Sequence, residues 1–240
     1  MGTGGLGMGL FRRHGGGTLP RTHMLVLAHR GCHVRAPHNS MDAFSDAVTA
    51  GADGIETDVR ISRDGFPVLM HDRVVGGRAV SALAKADMES VLGYPVPTLD
   101  EALARFPHLI WNVEIKTRDA VERTVDALRR FGSSRFLITS FRHDAVAMAA
   151  LQLGADCGLL VAERPLSLEG LLSPAAPLPR LRTLVWDYEI LDVSMVNEAR
   201  SRGWRNFAYG METAEEHRLC VEVGLDGIIT DHIELGLKAR

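Results

Sequence analysis

The 240-residue chain is poor in cysteine, in net charge and in long apolar runs, and each shortage removes a class of function. Its three cysteines, Cys32, Cys157 and Cys220, are odd in number, far apart and form no CxxC pair. They suggest neither a disulfide framework nor a thiolate zinc site, and they fit a reducing compartment. A formal net charge of −3 lacks the basic excess that nucleic-acid binding calls for. No stretch approaches the roughly 20 apolar residues of a membrane span, so the expectation is a soluble, cytoplasmic protein without stable membrane insertion. No carboxylate occurs before Asp42, whereas eight of the first seventeen residues are glycine. Arg12-Arg13 is not followed by the apolar region and small-residue cleavage site of an export signal, and Leu6 occupies the position where N-myristoylation needs Ser or Thr. Residues 1–23 are therefore expected to form a flexible Gly/Arg-rich tail, and residues 24–240 a single domain.

From Met24 onward, short β-branched or apolar runs alternate with amphipathic segments. Strands are expected at 24–28, 54–59, 109–115, 136–139, 157–161, 182–186, 206–209 and 227–230, with a further apolar run at 67–70 after the Asp64-Gly65 turn. Helices fall between them: about 40–50 with Asn39 as its cap, 85–91, one after the Thr98-Glu101 capping box, one capped by Asp119, then 144–153, 193–202 and one after Thr213-Glu216. Residues 165–179 read as loose. Nine strands are one more than a (β/α)8 barrel needs, and 67–70 is expected to fold back as a hairpin arm on its predecessor. An internal echo supports this reading: Gly51 to Asp58 (GADGIETD) and Gly224 to Asp231 (GLDGIITD) agree at six of eight positions, as repeated helix-to-strand junctions would.

The polar residues then gather. His29, Arg30, Glu56, Asp58, Glu114, Lys116, Ser140, Asp187 and Asp231 all lie at or just past the C-terminal ends of expected strands, which converge on one face of a (β/α)8 barrel. Glu56 and Asp58 share a strand face, and with Glu114 they offer an all-oxygen site for a divalent cation, Mg²⁺ or Ca²⁺ rather than zinc. Any one of these acids alone would read as a solvated strand-end carboxylate paired with Arg60 or Arg63. Arg30 and Lys116 add positive charge beside the cation, which suits a phosphate more than a neutral sugar. His29 and His71 have the chemistry of a general acid and base. His33 and His38 are loop residues close by, and Cys32 reads as a small buried residue.

Taken jointly, His29-Arg30-Gly31, Pro37-His38-Asn39-Ser40, Ala43-Phe44, Gly51 to Val59, Asp64 to Asp72, Glu114-Ile115-Lys116, Ser140-Phe141 and Asp226 to Asp231 resemble the motifs of the glycerophosphodiester phosphodiesterase family. The resemblance implies a TIM barrel of the phospholipase C-like type. It also implies divalent-cation-dependent hydrolysis of a small-molecule glycerophosphodiester to glycerol 3-phosphate and an alcohol. On matching positions, Glu56, Asp58 and Glu114 correspond to metal ligands, His29 and His71 to the acid/base pair, and Arg30 and Lys116 to phosphate contacts. His38, Asn39, Ser140 and Tyr209 would line the pocket.

The chain departs from the family pattern at several points. His38 replaces the Glu of PENT, Tyr209 stands where Trp is usual and His232 where Pro is frequent. The insertion after His71-Asp72 is short, which leaves the site more open. Two other functions therefore stay in view: lysophospholipase D activity on acylated diesters, and a catalytically weak barrel that binds a phosphate ligand.

Overall fold

A computed structural model of the chain describes residues 23–132 and 135–240; nearly all of the expected 1–23 tail lies outside them. The chain alternates strand and helix. β1 (Leu25–His29) leads to α1 (Met41–Ala50), and β2 (Gly54–Ile61) to β3 (Pro67–Leu69), the short hairpin β4 (Val74–Val75) and β5 (Arg78–Ala79), α2 (Lys85–Leu92) and α3 (Leu99–Arg105). Then come β6 (Ile110–Ile115), α4 (Ala120–Phe131), β7 (Phe136–Ser140), α5 (His143–Gln152), β8 (Asp156–Val161) and α6 (Leu168–Leu172). The chain ends with β9 (Leu181–Asp187), α7 (Val193–Ser201), β10 (Arg205–Tyr209), α8 (Ala214–Val223), β11 (Gly227–Thr230) and α9 (Ile233–Ala239).

Eight parallel strands close into a barrel in the order β1-β11-β10-β9-β8-β7-β6-β2, and β1 pairs with β2 to complete the ring. The fold is a (β/α)8 barrel. β3 is the expected arm, antiparallel to the far end of β2 through Val59–Leu69 and Ile61–Pro67. The segment after it packs with β3 around its own apolar cluster, Val68, Met70, Val75, Val80, Leu83, Met88 and Val96.

Alternation along each strand separates two cores. Leu27, Leu137, Leu160, Val185, Phe207 and Ile229 fill the barrel interior. Val26, Ala28, Ile55, Val59, Trp111 and Val113 instead face the helices. There Phe44 of α1 meets the Trp111 ring edge-on at 5.3 Å, a geometry worth about 0.5–1.5 kcal/mol beyond its buried area.

The sequence echo has a mechanical explanation at nearly every position. Gly51 and Gly224 end α1 and α8 at φ 88° and 75°, the left-handed conformation that glycine adopts freely. Asp53 and Asp226 accept the backbone N–H of Val26 and of Asn206, each at 2.8 Å, tying the junction to the neighbouring strand. Gly54 and Gly227 are small because a Cβ would lie 2.2 Å from the Ile110 carbonyl oxygen and from the Phe207 ring, respectively.

Several local expectations need correction. The N-cap of α1 is Ser40, whose hydroxyl accepts from Ala43 N; Asn39 lies just outside at φ 58° and is used elsewhere. Asp119 sits at the start of α4 with helical φ and ψ and makes no side-chain cap. The loose segment contains α6, capped by Ser167. α9 is not among the expected helices, and Gly236 lies in its middle. Its role is packing: a Cβ there would come within 2.9 Å of Ile228 and 3.1 Å of Val26, so glycine lets the last helix lie close on β11 and β1.

Candidate active site at the barrel mouth

β1 ends at His29, and the next two residues turn left-handed, Arg30 at φ 56° and Gly31 at φ 84°. Gly31 is required because a Cβ would come within 2.7 Å of the Ala43 backbone in α1. The strained turn is held by Arg30 N, which donates to the Glu56 carbonyl oxygen at 2.9 Å, and it aims the Arg30 side chain over β2.

On the inner face of β2 and β6, Glu56, Asp58 and Glu114 are buried, and one carboxylate oxygen from each falls within 4.8 Å of the others. Asp58 is opposite Glu114 in register, and Glu56 is opposite Asn112. The cations that balance these acids are Arg30 and Lys116, not Arg60 or Arg63. Arg30 Nε is 3.0 Å from Asp58 Oδ2, while Lys116 Nζ is 3.1 Å from Asp58 Oδ1 and 2.8 Å from Glu114 Oε1. Asn39 Nδ2 donates to Asp58 Oδ2 at 2.9 Å.

The electrostatics follow. Burial pushes the Asp58 carboxyl up, but Lys116, Arg30 and the Asn39 hydrogen bond outweigh it and hold Asp58 below its ordinary value. Glu56 goes well above the usual range through burial and through its neighbours Asp58 and Glu114. Burial also lifts Glu114, against the pull of Lys116, to about 7. Lys116 is raised: burial opposes this, but Asp58 and Glu114 prevail.

Two histidines flank the cluster, each held by a carboxylate. His29 Nδ1 is 2.9 Å from Asp231 Oδ1, which leaves Nε2 facing inward, 4.0 Å from Glu56 Oε2. His71 Nδ1 is 2.9 Å from Asp72 Oδ1, and Arg60 fixes the His71 carbonyl with two hydrogen bonds of 2.8 and 2.9 Å. Burial lowers the His71 pKa, against the Asp72 hydrogen bond, and His71 also feels Asp58, Arg30 and Lys116.

The remaining candidates sort clearly. His38 stacks on His33 with centroids 5.2 Å apart, and burial followed by the Arg30 charge lowers its pKa. Ser140 is buried and gives its hydroxyl to the Ile115 carbonyl at 2.6 Å while accepting from Arg142 N, so it shapes the loop after β7. Tyr209, at the end of β10, packs edge-on against Phe141 at 6.0 Å, and burial followed by the Asp187 charge raises its pKa. Asp231, Asp72 and Thr57 also serve the site, by holding His29, His71 and Asn39. Asp231 was visible in the echo as a strand-end acid, but its link to His29 spans 202 positions and exists only because β11 closes on β1.

The acidic cluster fits a cation. Its donors are all oxygen, three carboxylates crowd one point, and Asp58 Oδ1, beside Lys116, is buried without an aligned hydrogen bond. Such crowding is costly unless positive charge joins it.

The (β/α)8 barrel thus brings paired cations, acids and histidines together at its C-terminal mouth, the face on which this fold builds active sites. The family model described as "Glycerophosphoryl diester phosphodiesterase family" matches residues 29–235, and the chain belongs to that family. Its relatives include "Probable glycerophosphodiester phosphodiesterase 2" of Mycobacterium tuberculosis, 31% identical over 94% of this chain and 91% of that one. Another is the glycerophosphodiester phosphodiesterase of Caldanaerobacter subterraneus, 28% identical over 88% and 95%. Among solved structures, the glycerophosphodiester phosphodiesterase of Thermotoga maritima superposes with a TM-score of 0.80 at 27% identity, covering 91% of this chain and 99% of that one. Among the described residues, no helix is long and apolar enough to cross a membrane.

Proposed function

We propose that the chain hydrolyses glycerophosphodiesters to glycerol 3-phosphate and an alcohol, with Glu56, Asp58 and Glu114 as ligands of a Mg²⁺ or Ca²⁺ ion and with His29 and His71 dividing the proton transfers. The observation that carries this reading is the meeting, at one barrel mouth, of three buried carboxylates, two cations and two carboxylate-held histidines. An ion held by Glu56, Asp58 and Glu114 would supply charge neutralisation and lower the pKa of the glycerol hydroxyl.

Arg30 and Lys116 bind the phosphate oxygens and keep the phosphorus facing the histidines. The glycerol hydroxyl next to the phosphate attacks phosphorus and gives its proton to one histidine, while the other protonates the departing alcohol oxygen as its P–O bond breaks. Water then opens the cyclic phosphate, with the two histidines in reversed roles. Asp231 holds His29 with Nε2 inward, and Asp72 holds the His71 ring through Nδ1.

The test is release of glycerol 3-phosphate from glycerophosphocholine. It is expected to vanish on chelation and to fall by at least about 10²-fold in His29→Ala and in His71→Ala, the range of one general acid or base. Turnover that persists without His29 would sink the mechanism.

A further inference from the structure

A cleft of about 330 Å³ opens beside Lys116, between the end of β2, the β4–β5 hairpin and the turns that follow β6 and β7. Four cations line it, Arg60, Arg73, Lys116 and Arg142, against one acid, Asp119. Lys116 is neutralised by Asp58 and Glu114. Arg60 donates to a neutral carbonyl, that of His71, so no acid in contact cancels its charge. Arg73 and Arg142 are exposed and, among the described residues, make no ion pair. Elsewhere on the surface, Arg63, Arg118, Arg129, Arg130 and Arg218 each pair with a nearby carboxylate. The cleft thus gathers two arginines without an ion pair and a third held by a carbonyl, and its inner wall is the lysine assigned above to the phosphate.

The opposite side of the mouth has the contrary character. Asp187 and Tyr209 are there, but the Asp187 carboxylate already accepts from Glu189 N at 3.0 Å. A cationic alcohol would find that acid engaged, and in the cleft it would be repelled.

Resting on the phosphodiesterase reading, we propose that this cleft is the subsite for an anionic group on the alcohol half of the substrate. The preferred glycerophosphodiesters are then those whose alcohol bears a phosphate monoester or a carboxylate. Guanidinium groups suit both, because each offers a planar fork of donors to a two-oxygen acceptor.

The experiment compares kcat/KM of the full chain, loaded with divalent cation, for glycerophosphoglycerol carrying a terminal phosphate and for glycerophosphocholine. The wild type is expected to favour the anionic diester by about tenfold or more, the effect of one charge-assisted contact. Because these arginines are exposed, the preference should shrink as salt rises. In the double variant Arg73→Ala/Arg142→Ala the preference should disappear through KM, and Arg73→Lys/Arg142→Lys should keep part of it. Turnover of the choline diester reports that the variants are folded. Equal kcat/KM for the two substrates at low salt, a preference for the choline diester, or a preference that survives in the double variant overturns the subsite and leaves the phosphodiesterase reading standing. Inhibition by inorganic phosphate that depends on both arginines, without any substrate preference, assigns the cleft to a free anion and equally overturns it. Hydrolysis of neither diester overturns the phosphodiesterase reading and the subsite with it.

Discussion

Asn39 is the clamp on Asp58: its Nδ2 donates to Asp58 Oδ2 at 2.9 Å, and its own amide oxygen accepts from Thr57 Oγ1 at 2.7 Å. Both contacts are buried, and they lock the loop after β1 onto β2 at the deepest carboxylate of the site. The cost is a left-handed backbone at Asn39, φ 58°, which Asn tolerates better than other residues with a Cβ.

Asn39→Ala and Asn39→Gly separate clamp from backbone. Both take one donor from Asp58, which keeps Arg30 and Lys116, and leave the buried Thr57 hydroxyl without its acceptor, a loss of about 1–3 kcal/mol. Only Ala adds left-handed strain, about 1–2 kcal/mol. Thermal unfolding should rank wild type above Gly and Gly above Ala, while the two variants lose glycerol 3-phosphate release to a similar degree. An Ala variant as stable as the Gly variant would show that the backbone is not strained there.

Asn39 also shows where the sequence was legible and where it was not. Asn before a helix reads as a cap, and the same side chain is equally suited to a left-handed turn; only the position of Thr57 and Asp58 across the loop decides. Glu56 and Asp58 were legible because period-two alternation puts them on one face, and Glu114 and Lys116 because they end a strand of the same barrel. The β3 arm was legible from its turn. Arg30 and Lys116 were read as phosphate contacts; that they also balance Asp58 is a matter of tertiary distance. Asp231, at the far end of the chain, could not be tied to His29 before the barrel was closed.

On the proposed reading, three crowded carboxylates would make a divalent cation a stabiliser of the fold as well as a reagent. A ligand that binds only the folded chain adds about 2.7 kcal/mol at a hundredfold excess over its Kd. After chelation, Mg²⁺ or Ca²⁺ should raise the Tm of the wild type. Glu56→Gln and Glu114→Gln, each short of one charged ligand, should show a much smaller rise at the same concentration. An identical rise in all three proteins would place the ion elsewhere.

The two interior glycines of the echo differ in what they protect. At Gly54 a Cβ would strike backbone, the Ile110 carbonyl, whereas at Gly227 it would strike the Phe207 ring. Overpacking of a ring costs about 1–3 kcal/mol, because a side chain can shift; a strand backbone inside a closed barrel has less freedom. In urea unfolding, Gly54→Ala should be the more damaging. Phe207→Leu should partly restore Gly227→Ala and do nothing for Gly54→Ala. Equal losses with no rescue would contradict this account of the barrel floor.

Asp231 joins the first strand to the last through His29, and its titration should be visible. Burial alone would raise its carboxyl, but the His29 hydrogen bond and charge, with those of His33, hold it well below the ordinary range. A depressed folded value means that the stabilisation is present above the unfolded value, about 3.9, and is lost as pH falls through the folded one. Asp231→Asn should therefore flatten the fall in Tm on the acid side of about pH 4, relative to wild type. It should also lower kcat by about 10²-fold or more, because an amide no longer favours the tautomer with Nδ1 protonated and Nε2 free to take a proton. Asp231→Glu should recover part of the rate. A flattened acid limb with an undiminished kcat would leave Asp231 a structural acid and remove it from the orientation of His29.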